Sequence, residues 1–382
     1  MESEEMTMDR IAIIGAGPGG LMLARLLQRE GKRVVVFERD RHQGERPQGG
    51  SLDLHDETGQ HAIRSAGLQP EFAAVARPED QGDRLYDTEG TLLYDRDGLG
   101  DDRPEVDRGA LRQILLNSLE PGTVRWGHRI GAIRPKDTSF EVCGDGWSEP
   151  FDLIVGADGA WSCVRPLLSE AEPSYEGVTL VELGFDIDRH PAVDALTGRG
   201  KMFAVGDNRA LITQRNGQRH IRGYAGLRVP EAIARQWRAL PAEQLRAILR
   251  EAFVGWAPSL MEVVESGDIL AIRPLHALPI GHRWRSAPGL TLLGDAAHLM
   301  SPFSGEGVNL ALADATDLAQ AIVSCQGWAA VSACEEAMAA RAEIAAEGAA
   351  QGVEGVFSSL GAASVLEHYL ERTKTSGKTS VE

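Results

Sequence analysis

Glycines and carboxylates occur together at three widely separated places in this chain. Residues 15–20 read GAGPGG, residues 156–159 read GADG and residues 294–298 read GDAAH. Closely spaced glycines let a pyrophosphate group approach the backbone, and a carboxylate beside them can accept hydrogen bonds from sugar or polyol hydroxyl groups. These residue types predict a single nucleotide site that is assembled from the beginning, the middle and the end of the sequence.

The first glycine cluster lies between two predicted strands. Residues 10–14 (RIAII) and 33–37 (RVVVF) are short apolar runs typical of buried parallel strands, and leucines recur with helical spacing between them. In this context Gly15 permits the tight turn, Gly17 lets the pyrophosphate approach and Gly20 lets the helix pack on the strand. The helix N-terminus adds unpaired N–H donors and a partial positive charge for the phosphates.

Three carboxylates follow predicted strands, where ligands bind to open parallel sheets. Glu38 ends the second strand and favours a ribose with a free 2′-OH group. Asp158 precedes Gly159, which lets the chain turn, and Asp295 is placed to bind a ribityl hydroxyl group. Asp158 has the alternative role of a turn residue that caps the next helix. His298 is more typical of a structural histidine under the loop than of an acid–base residue.

The late motif continues into a loop and a helix. Residues 302–307 (PFSGEG) predict a tight turn before a helix that begins at about Val308. The N-terminus of such a helix can stabilise an anionic reduced flavin without a side-chain cation. Together, the three motifs in this order predict a tightly held, non-covalent FAD.

Composition limits the class of protein. The chain has 382 residues, 43% of them hydrophobic, so two closely joined domains are expected. The net charge of -17 disfavours nucleic acid and anionic membranes as partners. No apolar run reaches membrane-spanning length, and no signal-peptide core is present. The four cysteines lack metal-ligand spacing, so we expect no metal site and a reducing, cytoplasmic setting.

The order of elements predicts an α/β fold with a Rossmann-like domain that is interrupted by a second domain. The nucleotide domain comprises residues 9–173 and 281–325. Alternating apolar segments predict a β-sheet substrate domain at residues 174–280. We expect helices at residues 326–372, and a disordered polar tail at residues 373–382.

The motif combination over residues 9–325 resembles the group A flavoprotein monooxygenases, which are FAD-dependent aromatic hydroxylases of the p-hydroxybenzoate hydroxylase type. Residues 49–55 (GGSLDLH), 108–119 and 294–309 are similar to the tetracycline-inactivating monooxygenases of the TetX type. The resemblance implies an FAD-binding domain of that fold (GR2), a β-sheet substrate domain and a C-terminal helix that braces the two.

The resemblance also implies roles for individual residues. Glu38 would bind the adenosine ribose, and Arg39 would lie by the adenine. Arg108 would reach the flavin phosphate or ribityl region, Asp53 would lie near the isoalloxazine, and Asp295 would hold the ribityl chain. Arg39 and Arg108 have the alternative of being surface charges. The cofactor-binding candidates are Gly15, Gly17, Gly20, Glu38, Arg39, Asp53, Arg108, Asp158, Gly159, Asp295, Pro302, Gly305, Gly307, Val308 and Asn309.

Substrate-side candidates come from the inserted sheet and the flavin-side loop. They are Arg209, Arg222, Tyr224, Pro302, Phe303 and Gly305. Tyr224 and Phe303 could equally be core aromatic residues. No general base and no other catalytic residue is assigned.

The function implied by the resemblance is hydroxylation of a phenolic or enolic polycyclic molecule through a flavin C4a-hydroperoxide. NADPH or NADH would act as a transient reductant, because no second GxGxxG motif is present. The expected partners are O2 and an aromatic or polyketide small molecule, with tetracycline-like compounds and antibiotic resistance as one candidate, and the expected state is a monomer. The alternatives are an FAD-dependent reductase or dehydrogenase of the same fold, or a non-catalytic flavin-binding protein.

Overall fold

The structure, a computed structural model, describes residues 8–46, 49–136, 139–324 and 326–376, with side chains to residue 371. The chain forms two compact units. Unit 1 contains the described residues of 8–76, 107–174 and 276–349, and unit 2 those of 77–106, 175–275 and 350–376.

The strands are β1 (Arg10–Ile14), β2 (Arg33–Phe37), β3 (Ser51–Asp53), β4 (Gly82–Tyr86), β5 (Leu92–Arg96), β6 (Glu105–Asp107), β7 (Val124–Arg125), β8 (Ala132–Lys136), β9 (Ser139–Gly144), β10 (Trp147–Phe151), β11 (Leu153–Gly156), β12 (Ser174–Asp186), β13 (Gly200–Gly206), β14 (Arg209–Asn216), β15 (His220–Arg228), β16 (Asp268–Ala277) and β17 (Leu290–Leu292). The α-helices are α1 (Pro18–Arg29), α2 (His61–Ala66), α3 (Gln69–Ala73), α4 (Arg108–Asn117), α5 (Pro191–Thr197), α6 (Glu231–Trp237), α7 (Ala242–Ala252), α8 (Pro258–Ser266), α9 (Asp295–His298), α10 (Gly307–Val323), α11 (Trp328–Val356) and α12 (Ala362–Ser376).

Unit 1 is built on a five-stranded sheet in the order β17-β11-β1-β2-β7, in which all neighbouring strands are parallel. Only the first residue of β1 is exposed, as expected for a strand that is covered on both faces. Helix α1 begins with Pro18, which suits the first helical turn because an N–H group there has no partner within the helix, and α1 packs against α10. The predicted α/β class is confirmed.

The carboxyl ends of β17, β11, β1 and β2 meet at one edge of this sheet, which we call the carboxyl edge. Ile14 lies opposite both Gly156 and Phe37, and Gly156 lies opposite Leu292. The three glycine clusters and Glu38 lie at these strand ends or within two residues of them. Parallel pairing therefore brings together segments from the beginning, the middle and the end of the chain.

Unit 2 is built on a seven-stranded sheet in the order β16-β12-β15-β14-β13-β4-β5. Strands β12 to β15 form antiparallel pairs, whereas β4 runs parallel to β13. One face carries an apolar core that includes Leu183, Leu211 and Ala225 and residues from α5 to α8. Because side chains alternate along a strand, the residues that alternate with these core residues on each strand belong to the opposite face.

The two units divide the chain differently from the predicted domains. Residues 77–106 belong to unit 2, although the prediction placed them in the nucleotide domain at residues 9–173. The reason is that β4 pairs with β13, a partner far later in the chain that local sequence patterns do not show. Unit 1 also resumes at residue 276 rather than 281 and extends to residue 349 rather than 325.

The C-terminal region forms two helices, α11 and α12, in place of one continuous element, and their predicted bracing role stays a prediction. Residues 373–376, which were expected to begin a disordered tail, continue α12. A polar sequence can still extend a helix, because its backbone hydrogen bonds do not require apolar side chains. Residues 377–382 lie outside the described residues. No helix in the described ranges is both long and apolar enough to span a membrane.

Candidate functional site

Two glycines of the first cluster are required by close backbone contacts at the carboxyl edge. Gly15 has a φ of 108°, and a Cβ added there would lie 2.4 Å from the carbonyl oxygen of Ala157 in the middle motif. A Cβ at Gly20 would lie 2.3 Å from the Gly15 carbonyl oxygen. Because no side chain fits at either position, these glycines allow the turn and α1 to pack on the sheet.

Three other glycines face open space. A Cβ at Gly17, Gly159 or Gly307 would meet no heavy atom of another described residue within 4 Å, apart from the chain neighbours of each glycine and, for Gly307, the backbone of its own helix. Gly17 has a φ of -78°, so its backbone conformation does not require glycine. At Gly17 the missing side chain therefore leaves room for a bound group to reach the backbone beside α1.

Glu38 is buried beside the first cluster. Its Oε2 accepts a hydrogen bond from the Ala16 N–H at 2.9 Å, and its Oε1 accepts one from the Asp40 N–H at 3.0 Å. Arg112 donates from Nε to the Ala16 carbonyl oxygen at 2.9 Å, with its Nη2 3.9 Å from Glu38 Oε2. A carboxylate oxygen can accept more than one hydrogen bond, so Glu38 can still bind ribose hydroxyl groups.

Two buried arginines that the sequence analysis did not select organise this edge. Arg112 fixes the first motif from α4, and Arg165 donates to the carbonyl oxygens of Ala160 at 2.8 Å and Ala296 at 3.1 Å, which joins the middle motif to the late one. Burial lowers the pKa of both guanidinium groups. A signal existed for Arg112, because it follows Arg108 by one helical turn on an amphipathic helix.

The two carboxylate oxygens of Asp158 differ in their hydrogen bonding. Oδ2 accepts a hydrogen bond from the Cys163 N–H at 2.7 Å, which is the turn-capping role. Oδ1 is buried and has no hydrogen-bond partner among the described residues. Since a buried carboxylate oxygen without a donor is costly, Oδ1 is suited to receive a hydrogen bond from a bound group.

The late motif is held by Asp314, a fully buried residue of α10. Its carboxylate accepts a hydrogen bond from the Gly294 N–H at 3.1 Å and lies 2.5 Å from His298 Nε2. Burial disfavours the charged form of His298, but the charge and hydrogen bond of Asp314 outweigh it and raise the His298 pKa. This arrangement supports a structural role for His298 and leaves Asp295 exposed at the start of α9.

The loop after the late motif is joined to the segment that contains Asp53. Pro302–Ser304 forms a 3₁₀ turn, Gly305 follows with a φ of 71°, and α10 begins at Gly307. Asn309 is fully buried, and its Nδ2 donates to the Asp53 carbonyl oxygen at 3.0 Å. A Cβ at Gly305 would lie 3.8 Å from Asp53 Oδ1, so this carboxylate lies next to the loop.

Arg39 and Arg108 are both exposed. Arg39 follows Glu38, and Arg108 begins α4, where its N–H donates to the Gly50 carbonyl oxygen at 3.2 Å. In the described part of the chain, neither guanidinium group forms a hydrogen bond or an ion pair. Both are available for an anionic or aromatic ligand, and their contacts with adenine, phosphate or ribityl groups stay predictions.

The residues along the carboxyl edge fit FAD. The glycines leave space where α1 and α10 begin, and helix N-termini stabilise phosphate and other negative charge. Asp158 Oδ1, after β11, needs a hydrogen-bond donor. Asp295 is exposed after β17, the neighbouring strand of the sheet. All the cofactor candidates, including the buried Val308, lie in unit 1. The structure therefore brings together the strand-end candidates that the sequence placed far apart.

The sheet of unit 2 carries a charged cluster on the side opposite its apolar core, which we call the polar face. Glu182 is 1% exposed, and its carboxylate accepts hydrogen bonds from Arg222 at 2.9 Å and from Arg273 at 2.8 Å. Tyr224 pairs directly with Glu182 across β12 and β15. Arg222 and Tyr224 are two residues apart on one strand, so both belong to this face.

Arg209 is not brought together with these two residues. It lies opposite Leu227, whereas Arg222 lies opposite Gln214 in the same pair of strands. By strand alternation Arg209 belongs to the core side of the sheet, where its Nε donates to the Asp207 carbonyl oxygen at 3.2 Å. The remaining substrate-side candidates, Pro302, Phe303 and Gly305, lie in unit 1, in the loop that precedes α10.

Comparison with known proteins identifies the family. The family model for an FAD binding domain matches residues 8–351. Monooxygenase asqM from Emericella nidulans is 33% identical over 371 residues, which cover 81% of this chain and 83% of asqM. The chain therefore belongs to the FAD binding domain family, and it is an FAD-dependent monooxygenase.

Solved structures share the fold. HpxO from Klebsiella pneumoniae, in complex with FAD and uric acid, superimposes with a TM-score of 0.79 at 21% identity, covering 95% of this chain and 92% of HpxO. Tetracycline destructase Tet(55) gives a TM-score of 0.73 at 21% identity, covering 93% of this chain and 91% of Tet(55). The predicted flavoprotein fold, the FAD cofactor and the resemblance to flavin monooxygenases are confirmed, and the reductase and non-catalytic alternatives are set aside.

Proposed function

We propose that this monooxygenase uses NADPH or NADH and O2 to hydroxylate a phenolic or enolic polycyclic small molecule. The observation that carries the proposal is the ion cluster on the polar face, in which one buried carboxylate, Glu182, is shared by Arg222 and Arg273. Two guanidinium groups against one carboxylate leave this cluster positively charged in a chain whose net charge is -17. A local cation in an acidic protein favours a substrate oxygen that carries negative charge.

The charge of the cluster also supplies a reason for the reaction to proceed without a dedicated base. A phenol or enol that approaches Arg222 and Arg273 ionises more readily, because nearby cations favour its anionic form. The anion is the more electron-rich form of the substrate and the better acceptor of an electrophilic oxygen atom. Tyr224, beside Glu182 on the same face, can donate a hydrogen bond to a substrate oxygen or stack on a ring.

When bound, FAD would supply the redox chemistry, namely hydride acceptance from the nicotinamide and activation of O2. The residues of the carboxyl edge bind and orient it. We propose that Glu38 would bind the adenosine ribose, that Asp295 would bind the ribityl chain and that Arg108 would reach the flavin phosphate or ribityl region. Asp158 Oδ1, which is buried without a partner among the described residues, accepts a hydrogen bond from the cofactor. We also propose Pro302, Phe303 and Gly305, in the loop of unit 1 that precedes α10, as substrate-side residues.

Tetracyclines are one candidate within the proposed substrate class. Tet(55), a tetracycline destructase by name, shares the fold, and fused-ring enols match the chemistry that the polar face favours. On this proposal the enzyme inactivates an antibiotic, while hydroxylation during polyketide biosynthesis would use the same chemistry. We further propose that the protein is a monomer and that it is cytoplasmic, the latter supported by free thiols at Cys143, Cys163 and Cys334.

The test is a screen of phenolic polyketides and tetracyclines with the FAD-loaded enzyme. We expect a true substrate to accelerate NAD(P)H oxidation and to gain one oxygen atom from labelled O2, as measured by mass spectrometry. Parallel assays with NADPH and NADH define the reductant. Accelerated oxidation that yields only hydrogen peroxide with every compound would contradict hydroxylation of this substrate class.

The role of the polar face is tested with two matched substitutions. Arg222→Gln removes one cation from the cluster, and we expect the KM for an enolic substrate to rise about tenfold or more, because a charge-assisted hydrogen bond is lost. Arg250→Gln breaks a half-exposed ion pair with Glu265 elsewhere in unit 2 and serves as the control. Equal effects of the two substitutions on KM would remove the polar face from the substrate site.

A further inference from the structure

His55 lies between two carboxylates that come from distant parts of unit 1. Its Nε2 is 3.3 Å from Asp53 Oδ2, and its Nδ1 is 3.4 Å from Glu306 Oε1. The imidazole side chain is only 12% exposed. Glu306 is the residue between Gly305 and Gly307, so the ring joins the Asp53 segment to the loop that precedes α10.

Asn309 forms a second, uncharged connection between the same two segments. Its Oδ1 accepts a hydrogen bond from the His55 N–H at 3.0 Å, and its Nδ2 donates to the carbonyl oxygens of Asp53 at 3.0 Å and Gly305 at 3.4 Å. A Cβ at Gly59 would lie 2.4 Å from Asn309 Oδ1, so the turn after His55 packs closely on this amide. The backbone is thus already aligned, and the imidazole adds the charged part of the connection.

Two carboxylate oxygens within 3.4 Å of one imidazole ring favour a cation at this position. Burial alone would lower the His55 pKa. The hydrogen bonds of the ring with Asp53 and Glu306, together with the negative charges of these residues, outweigh burial and raise the pKa to about 9. The imidazole is therefore protonated at neutral pH and separates two negative charges. When the pH rises through this pKa the proton is lost, and two carboxylates then face an uncharged ring and repel each other.

We propose that His55 is a positioning residue for bound flavin: as a cation between Asp53 and Glu306, it holds the loop at residues 302–307 against the segment at residues 51–55. The loop contains Gly305 and leads to Gly307, which faces open space at the N-terminus of α10. Fixing this loop fixes the helix N-terminus and the Asp53 carboxylate relative to each other. The charge near the isoalloxazine then depends on the protonation of a residue that need not touch the cofactor.

The experiment follows bound flavin in the holoenzyme between pH 6.5 and 10.5, through FAD retention and the visible absorption of the flavin. We expect the wild type to keep FAD at pH 7 and to show a spectral change and weaker retention with a midpoint near pH 9. His55→Gln is expected to bind FAD roughly tenfold more weakly at pH 7 and to lose the midpoint, because glutamine cannot carry the charge. His55→Lys, which restores a cation, is expected to recover retention at pH 7 and to move the midpoint upward.

Two further substitutions separate positioning from general stability. Glu306→Gln removes one of the two carboxylates. It is expected to lower the midpoint, because the imidazolium is then stabilised by one negative charge instead of two. His61→Gln, at an exposed position six residues after His55, is the control and should leave the profile unchanged. If His55→Gln does not fold, the midpoint of Glu306→Gln decides. A wild-type profile without a midpoint near pH 9, or an unchanged midpoint in Glu306→Gln, would overturn the proposal.

Discussion

The carboxyl edge of unit 1 and the polar face of unit 2 present different chemical groups to a ligand. At the carboxyl edge the available groups are mainly those of the backbone, because glycines at positions 17, 159 and 307 leave room for a ligand to reach the main chain. On the polar face, where we propose that the substrate binds, the available groups are the charged side chains Arg222 and Arg273, which share the carboxylate of Glu182. A backbone site suits a constant cofactor, whereas a side-chain site can change its ligand by one substitution. The comparison predicts that cofactor binding and substrate choice can be altered separately.

The largest expected effect concerns a glycine that serves the fold. Gly15→Ala places a Cβ 2.4 Å from the Ala157 carbonyl oxygen at a φ of 108°. We expect the free energy of unfolding to fall by about 3 kcal/mol or more, because both overpacking and backbone strain contribute. Denaturant unfolding of the apoprotein measures it. A change below about 0.5 kcal/mol, the range of neutral surface substitutions, would show that the edge tolerates movement at this turn.

Glu182→Gln tests whether the polar face is independent of the cofactor. The substitution removes the buried carboxylate and leaves two arginines that are 21% and 51% exposed. We expect the free energy of unfolding to fall by about 1–3 kcal/mol, since the arginines can partly turn to solvent, and the FAD affinity to stay the same. Thermal unfolding and FAD titration of one preparation measure both quantities. Release of FAD from a folded Glu182→Gln protein would contradict the separation of the two sites.

Asp295→Ala makes the corresponding test at the carboxyl edge. Its carboxylate is exposed, so its removal should change stability little, but we expect FAD binding to weaken by about 1–3 kcal/mol through the loss of a ribityl hydrogen bond. Asp145→Ala, at another exposed aspartate of unit 1, is the matched control. Fluorescence titration of the apoprotein gives the two affinities, and equal values would remove Asp295 from the cofactor site.

The smallest expected effect concerns a supporting residue. Arg112 donates to two carbonyl oxygens, those of Ala16 and Gln43, both at 2.9 Å, and its guanidinium group lies 5.2 Å over the ring of Trp126. A lysine cannot reproduce this fixed geometry, so Arg112→Lys should weaken FAD binding by about 1 kcal/mol. An affinity equal to that of the wild type would show that the first motif holds its shape without this contact.

The two regions also differ in how much of them the sequence predicted. The carboxyl edge was predictable because each glycine cluster lies at the end of its own strand. Parallel pairing of those strands then brings the clusters to one edge of the sheet. The contacts of Arg112 with Ala16 and of Arg165 with Ala296 were not, because 96 and 131 residues separate the partners. Such contacts depend on the packed fold rather than on any local pattern.

The polar face was predicted only in part for a related reason. Arg222 and Tyr224 were selected together with Arg209, yet the pairing of β14 with β15 puts Arg209 on the other side of the sheet. Glu182, the centre of the cluster, was not selected, because a lone glutamate on an apolar strand gives no signal until its partners on β15 and β16 are known. Distant pairing likewise explains why residues 77–106 belong to unit 2, since β4 pairs with β13.

The most direct test of the account is the FAD-to-chain ratio of two purified variants, Gly17→Ala and Arg222→Gln. The first adds a Cβ to the open space at the start of α1, and the second removes a cation from the polar face. We predict that Arg222→Gln retains about one FAD per chain, as the wild type does, whereas folded Gly17→Ala retains much less. Full FAD content in Gly17→Ala, or colourless folded Arg222→Gln, would contradict it.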